Sequence, residues 1–543
     1  MKKLPIELQT LIVKELPTRD ICRLQQTCKT FYDLIEGNSE VWKERLRRQC
    51  STDVLWSSFS GFTASELRRA CTGTLRFKHR YRPGGHPKPP IPRLLPYISQ
   101  QEDLQHQQRQ ELDNPYPEIS DAFLVPGGRF LITVDEKWLR VWDLGPPGSL
   151  DEPCESASRE LNCYDPALEI ADVVVTDKNT VHLLIQEYYP LPTLPESFGI
   201  HRSEYNFGGW ATFTIFHRFE VRLLGKEQHS VRELGRLCVL HSRGSDICTT
   251  QDGPIVALGI GERVLLWGTS DSPDKSWVAS RTGCGGTDGQ DVFLHQDYAF
   301  VVDSDGLNGF DLTGITHRPV GKGLVDIQYG TPDIGHIPTP QKWSHQQDFQ
   351  NTLRGWASDF MLHKPPAEGG PLFYDIRLPQ LGAALPQPLT YESHDSYLQF
   401  CFSFHPDNPS ASSLIPTKRY MTASQPCDTP HFHFALDEGV RGYIWYDYFS
   451  VNGGVERRNI FVSILDDPDF PEPSGSVFEG LGDFSEMIVT GPNPESTRVL
   501  HISVCPLSGR VVVLWERESK KDRLVEIFDL YDFSLTTGPA LYQ

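Results

Sequence analysis

From about residue 118 onward the chain repeats one pattern. Short apolar runs alternate with Gly, Pro, Asp and Asn. The stretch FLVPGGRFLITVDEKWLRVWDL, residues 123–144, shows the unit most fully. It reads as a strand, a tight turn at Gly127-Gly128, a strand from Phe130 to Val134, a turn at Asp135-Glu136, and a strand from Trp138 to Leu144. Similar strand endings recur as FEVRLL before residue 225, VLLWG at 264–268, GFDL at 309–312, FYDI at 373–376, YIWYDY at 443–448 and EIFDL at 526–530. Paired runs such as DVFLHQDYAFVVDSDG and HISVCPLSGRVVVLWE lie between them.

A strand–turn–strand unit of this kind buries its faces only by stacking on its neighbours, which is the logic of a β-propeller. Counting the endings gives about seven blades. The intervals between them are uneven, so some blades carry loop insertions, expected at 188–208, 329–371 and 406–430. A β-sandwich of the same length is the alternative architecture. A chain of 543 residues exceeds one ordinary domain unless that domain is a large closed β structure, and 44 Gly with 42 Pro suit a turn-rich fold.

The first 48 residues have a different texture. Leu8, Leu11 and Ile12 share a helical face, and Ile21, Leu24, Cys28, Phe31, Leu34 and Ile35 recur at spacings of three or four. Pro17 ends a first helix, with Thr18 as the expected cap of a second. Gly37-Asn38-Ser39 marks a turn, and Ser39 is a candidate cap for a helix carrying Val41, Trp42 and Leu46. Thr63 with Glu66 three residues on has capping-box spacing for one more short helix. A piece of this size rarely closes a core by itself. Leu4, Leu8, Ile12, Leu16, Leu24, Phe31, Leu34 and Trp42 therefore need a cover, either the β body or another protein.

At these residues the sequence resembles the F-box family. Leu4-Pro5, Glu7-Leu8, Ile12, Leu16, Asp20-Ile21, Leu24, Cys28-Lys29, Phe31, Leu34 and Trp42 follow the family's order and spacing through residues 4–48 without a gap. The resemblance covers about a tenth of the chain. With the change of texture near residue 118, the expected organisation is multidomain: an F-box at 1–48, a helical and Pro-rich connector at 49–117, and an all-β propeller-like recognition domain at 118–543. The F-box resemblance implies helix-in-groove docking on a Skp-type adaptor of an SCF-type, cullin-RING ubiquitin ligase. Leu4, Pro5, Leu8, Ile12, Leu16, Leu24, Cys28, Phe31 and Leu34 would face that adaptor, while Trp42 packs inside the motif or against the connector. The implied role is that of a substrate receptor, which performs no bond chemistry. The connector's basic texture also resembles that of a group of fungal F-box proteins. An F-box scaffold acting outside the ligase is the second reading, and a propeller-fold hydrolase the third.

The charge is divided. Residues 1–95 hold 18 Lys/Arg against 9 Asp/Glu, so of the total of −20 the rest of the chain carries −29. An acidic body argues against nucleic-acid binding. It leaves open a basic protein partner or a role in solubility alone. The chain has no apolar run long enough to span a bilayer. Its 12 Cys include no C-x-x-C pair, which suggests reduced thiols and a cytoplasmic or nuclear setting. The segment RPGGHPKPPIPRLLP, residues 82–96, reads as a semi-rigid connector or a PxxP ligand from Pro87 to Pro90. Residues 100–112 read as a solvated helix or loop.

Sites with chemistry of their own are sparse. His431 and His433 alternate on one strand face, without a third ligand at metal spacing. The Gly-rich stretches 259–263 and 283–286 lack the following helix that a phosphate cradle needs. No G-x-S-x-G, Walker or H-E-x-x-H element occurs. The reading therefore assigns no catalytic residue, metal or cofactor. Tyr205, Trp210, Trp343 and Trp356 are candidates for a target surface at one end of the ring, against plain packing. The target protein itself is not readable.

Overall fold

The computed structural model describes residues 4–50, 56–75, 92–95, 119–189, 211–282, 291–344, 360–378, 396–421, 431–465, 479–490 and 497–530, with short breaks inside several of these stretches. Five helices come first: α1 (Ile6–Glu15), α2 (Thr18–Thr27), α3 (Lys29–Glu36), α4 (Ser39–Cys50) and α5 (Ala64–Cys71). Seven mainly antiparallel sheets follow.

Sheet 1 is built from Ile119–Leu124, Phe130–Asp135, Trp138–Asp143 and Cys154–Glu160. Sheet 2 uses Leu168–Val175, Thr180–Tyr189, Ala211–Leu224 and Gln228–Ser242, with Leu324–Asp326 added in parallel. Sheet 3 uses Ile247–Asp252, Ile255–Ile260, Arg263–Gly268 and Trp277–Thr282, edged by Arg318–Pro319 and Gly335–His336. Sheet 4 uses Asp291–His295, Tyr298–Asp303, Gly306–Asp311 and Gln341–Ser344. Sheet 5 uses Phe360–His363, Leu372–Leu378, Ser396–Ser403 and Ser413–Met421, edged by Glu479–Gly480. Sheet 6 uses His431–Asp437, Val440–Val451, Val455–Leu465 and Glu486–Thr490. Sheet 7 uses Thr497–Cys505, Arg510–Arg517 and Arg523–Asp529, and its fourth strand is Arg93–Leu94, from before sheet 1. The ring is therefore closed by the chain that leaves the helices, with Arg93 opposite Ile527 and Leu94 opposite Glu526.

Stacking is visible in the alternation of side chains along single strands. Leu183 and Ile185 enter the core between sheets 1 and 2, while Leu184 between them enters the core between sheets 2 and 3. Leu265 and Trp267 face sheet 2, whereas Val264 and Leu266 face sheet 4. A strand buried on both faces reads as a continuous apolar run, which is why these stretches looked alike in the sequence. Further cores lie between sheets 4 and 5 and between sheets 7 and 1. The first strands of sheets 6, 7, 1, 2, 3 and 4 touch in that order, as the inner strands of a β-propeller do, and the described residues form seven such sheets.

The described residues form seven sheets, in line with the expected count of about seven, but two of its markers were out of phase. FYDI and YIWYDY lie on second strands of sheets 5 and 6, whereas the other endings lie on third strands. Aromatic residues followed by Asp suit any strand that ends at a rim, so the marker does not specify position. Two expected insertions also need correction. The span 329–371 contains the last strand of sheet 4 and the first of sheet 5, and 406–430 contains Ser413–Met421. Short strands with Pro, Gly and His around them carry too little periodicity to be seen. The stretches 82–91, 100–112 and 283–286 lie outside the described residues, as do Tyr205, Trp210 and Trp356.

Candidate docking site

The helices form one small core. Val13 of α1, Ile21 and Cys22 of α2, Phe31 and Ile35 of α3, and Val41, Trp42 and Leu46 of α4 are buried together. Their spacing of three or four places each on one helix face. The Trp42 indole Nε1 donates to the carbonyl of Ile35 at 3.1 Å, so this large side chain is both packed and satisfied. Residues beyond 48 complete this core, because Phe59, Leu67, Ala70 and Cys71 belong to it. Thr63 and Glu66 make the expected capping box at the start of α5. Thr18 is not a cap: Pro17 holds that position, and the Thr18 hydroxyl instead accepts from Arg45 Nε at 3.1 Å. At α4 the side-chain acceptor is Asn38, which receives the Glu40 amide at 3.2 Å.

Polar contacts tie the helices across the core. Glu36 of α3 accepts from Gln25 of α2 and from Arg68 of α5, the latter at 2.5 Å. Arg48 of α4 holds Glu15 of α1 through two bonds of 2.5 and 2.8 Å, and this hydrogen bonding lowers the Glu15 carboxyl below its ordinary range. Burial pushes the Cys71 thiol far up, so it is a packing group and not a nucleophile.

Helix α1 is where this economy breaks down. Only Gln9 and Val13 of its residues are buried. Leu4, Ile6, Leu8 and Leu11 stand outward with 38, 61, 46 and 57% of their surface exposed. Pro5 fixes the entry, with φ −53°, and its carbonyl accepts the Gln9 amide at 3.1 Å. The Gln9 side chain returns to the Leu4 carbonyl at 2.6 Å and holds the segment before the helix in place. Of the residues expected on a docking face, Leu4, Pro5 and Leu8 are exposed, and Ile12, Leu16, Leu24, Cys28 and Leu34 are half-buried. Phe31 lies in the core with 5% exposed. Ile6, the first residue of α1, and Leu11 are also exposed and were not among the residues expected on that face.

The ring offers a second candidate surface. Trp343 is the one described member of the expected aromatic set, and it packs against Phe300 and Phe402 in the core between sheets 4 and 5. His431 and His433 lie on the first strand of sheet 6. Among the described residues no group of three His, Cys, Asp or Glu is placed to hold a metal. No helix among them is long and apolar enough to cross a membrane. Among the groups on the ring with displaced acidity, two half-buried ones stand out. Burial raises the Asp291 carboxyl to about 7, and burial beside Arg218 lowers His182 to about 4.

Residues 1–48 match the model of the F-box-like family. A search of curated proteins returns no match. Among solved structures, the chain is similar to the WD40 domain of SCAP from fission yeast, at 7% identity over 76% of this chain and 83% of that one, with a TM-score of 0.32. It is also similar to the N-terminal domain of Nup159, at 8% identity over 82% and 96% of the two chains, with a TM-score of 0.31. Scores this low carry no argument, and the fold rests on the strand pairing described above. The chain thus carries an F-box-like segment at residues 1–48, ahead of a seven-sheet β-propeller.

Proposed function

We propose that the protein is the substrate-receptor subunit of an SCF-type, cullin-RING ubiquitin ligase. The helices dock on a Skp-type adaptor and the ring holds a target protein. The observation that carries this reading is the outward row Leu4, Ile6, Leu8 and Leu11 on an otherwise closed helical core. Covering a fully exposed side chain of this kind is worth about 1.5–3 kcal/mol; these four, 38–61% exposed, would each gain part of that, so helix-in-groove association also draws on the residues around them to offset the cost of binding. Half-buried Ile12, Leu16, Leu24, Cys28 and Leu34 would extend the contact, with Phe31 supporting it from below. The receptor does no chemistry: holding a target beside the ubiquitin donor makes transfer effectively intramolecular.

The test is co-purification of the full chain with a Skp-type adaptor and its cullin. A Leu8→Asp/Leu11→Asp variant keeps its circular dichroism, because both residues are exposed, and loses adaptor binding by more than about 100-fold, as the loss of two such anchors implies. Retained binding in that variant overturns the docking surface. Adaptor binding without cullin overturns the ligase role.

A further inference from the structure

Antiparallel strands alternate in direction, so the first-to-second and third-to-fourth connections of every sheet emerge at one end of the ring. The turn at 505–510 in sheet 7 and the loop at 144–153 in sheet 1 are two such connections, side by side where the ring closes. Helix α5 sits across both. Phe62, Glu66, Arg69 and Ala70 on the helical side meet Pro146 and Pro147 of sheet 1 and Leu507 and Ser508 of sheet 7 around one small cleft. Leu507 also packs against the helical core itself. At Gly73, just past α5, a Cβ would lie 2.2 Å from the Leu507 carbonyl oxygen, so only glycine permits this approach.

Among the described residues, strand pairing at the seam beneath α5 is short. Arg93–Leu94 contributes two paired residues, extended by the Leu95 amide to the Val525 carbonyl at 3.1 Å. Arginine compensates. Arg510, with none of its surface exposed, reaches from sheet 7 into sheet 1 and donates to the carbonyls of Gly128 at 2.6 Å, Gly145 at 3.0 Å and Pro146 at 3.2 Å. Arg93 donates to the carbonyls of Leu144 at 3.2 Å and Asp151 at 2.9 Å. Three of these five acceptors, Leu144, Gly145 and Pro146, belong to the stretch that leads into the cleft under α5.

We propose that α5 with its flanking Phe62 and Gly73 is a clasp on the closing seam of the ring, so that loosening of the helical unit and opening of the seam are coupled. The segment that closes the ring and the helix that covers the closure then belong to the same N-terminal piece of chain. Ordering the helices tightens the seam, and loosening them frees it, by ordinary linkage. An adaptor bound to the helices would add its free energy to the seam, a consequence that rests on the function proposed above; the clasp itself does not.

Hydrogen exchange on the full chain, with no adaptor present, tests the clasp. In Leu507→Asp and, separately, in Gly73→Ala, the amides of Leu95, Leu124 and Leu144 at the seam should exchange at least about tenfold faster, while those of Leu258 and Leu265 in sheet 3 keep their rates, as expected for a local opening. The Gly73 variant leaves all seam side chains in place, which guards against a general folding defect in the other. Unchanged seam exchange in either folded variant, or an equal rise in sheet 3, overturns the clasp. Loss of adaptor binding in Leu8→Asp/Leu11→Asp leaves it untouched.

Discussion

Arg510 Nε donates to Asp529 Oδ1 at 2.8 Å and its Nη2 to Oδ2 at 3.2 Å, a bidentate pair at the end of sheet 7. Asp529 also accepts from Arg93 at 3.1 Å, so one carboxylate serves two guanidinium groups at the seam. Burial and the nearby Arg510 charge lower the Arg93 pKa. Replacing Asp529 with Asn leaves two neighbouring cations without their shared anion. The expected cost is about 3–5 kcal/mol, the range for breaking a buried pair on one side. Chemical denaturation of Asp529→Asn measures it, and Arg510→Met should cost at least as much, because it also strands the carbonyls of Gly128, Gly145 and Pro146.

Asp121 carries a second kind of link between sheets. Its Oδ2 accepts the Ile170 amide of sheet 2 at 2.8 Å, and its Oδ1 accepts the Ala122 amide at 2.7 Å. Asp172 repeats the device, accepting the Gln251 amide of sheet 3 at 2.8 Å, and Ser503 of sheet 7 accepts the Leu124 amide at 2.9 Å. Each first strand is the inner edge of its sheet, so its outward amides need acceptors from elsewhere. A register shift just before Asp121 and Asp172 aims these side chains sideways. Asp121→Ala should therefore destabilise by about 1–3 kcal/mol for each stranded amide and speed exchange at Ile170 specifically. Asp121→Asn, which keeps an acceptor oxygen, should cost less.

Asp291 opens the first strand of sheet 4. Protein crowds its carboxyl on nearly every side although the residue keeps part of its surface, and desolvation raises its pKa from 3.8 to about 7. Nearby Asp172 adds to the rise, while the Val292 amide at 2.7 Å and Cys248 oppose it. Between pH 3.8 and about 7 the folded chain keeps a proton that the unfolded chain has lost. Stability from this group therefore falls as pH rises across that window and is flat on either side. A melting profile of Asp291→Asn should lose that slope and lie above the wild type at pH values beyond 7, where the native carboxylate is buried and charged.

Glycine matters at one point of the core for want of space. A Cβ on Gly309 would lie 2.8 Å from Trp343 and 2.9 Å from Phe300, both buried rings stacked into the cluster between sheets 4 and 5. Gly309→Ala should lower stability by about 1–3 kcal/mol, as overpacking does, with a red-shifted or quenched Trp343 emission as the local report.

Much of the site was legible in local pattern. Phe31 and Ile35 on α3, and Trp42 and Leu46 on α4, recur at helical spacing because a helix buries one face, and they are buried. The Thr63–Glu66 cap was legible for a similar reason, since both partners lie within one turn. Exposure was not legible in that way. Phe31 and Leu8 are equally apolar, yet one is core and the other surface, because the difference depends on which helix lies opposite. The repeated arginine was also within reach: GGR at 127–129 is matched by SGR at 508–510, and WDL at 142–144 by FDL at 528–530. In both sheets the Arg pairs with that Asp, Arg129 with Asp143 at 2.7 Å and Arg510 with Asp529. A motif of two short, separated pieces does not stand out until the strands are paired.

The sequence by itself determined the two textures of this protein, an amphipathic helical start and a ring of stacked strands, because residue periodicity follows from backbone geometry over a few residues. The tertiary structure alone decided which apolar side chains of α1 remain uncovered, that the strand at Arg93–Leu94 closes sheet 7, and that α5 rests on the closure. Arg93 and Asp529 are 436 positions apart in the chain and 3.1 Å apart in space. Such contacts depend on the closure of the whole ring, and no local preference of either residue encodes them.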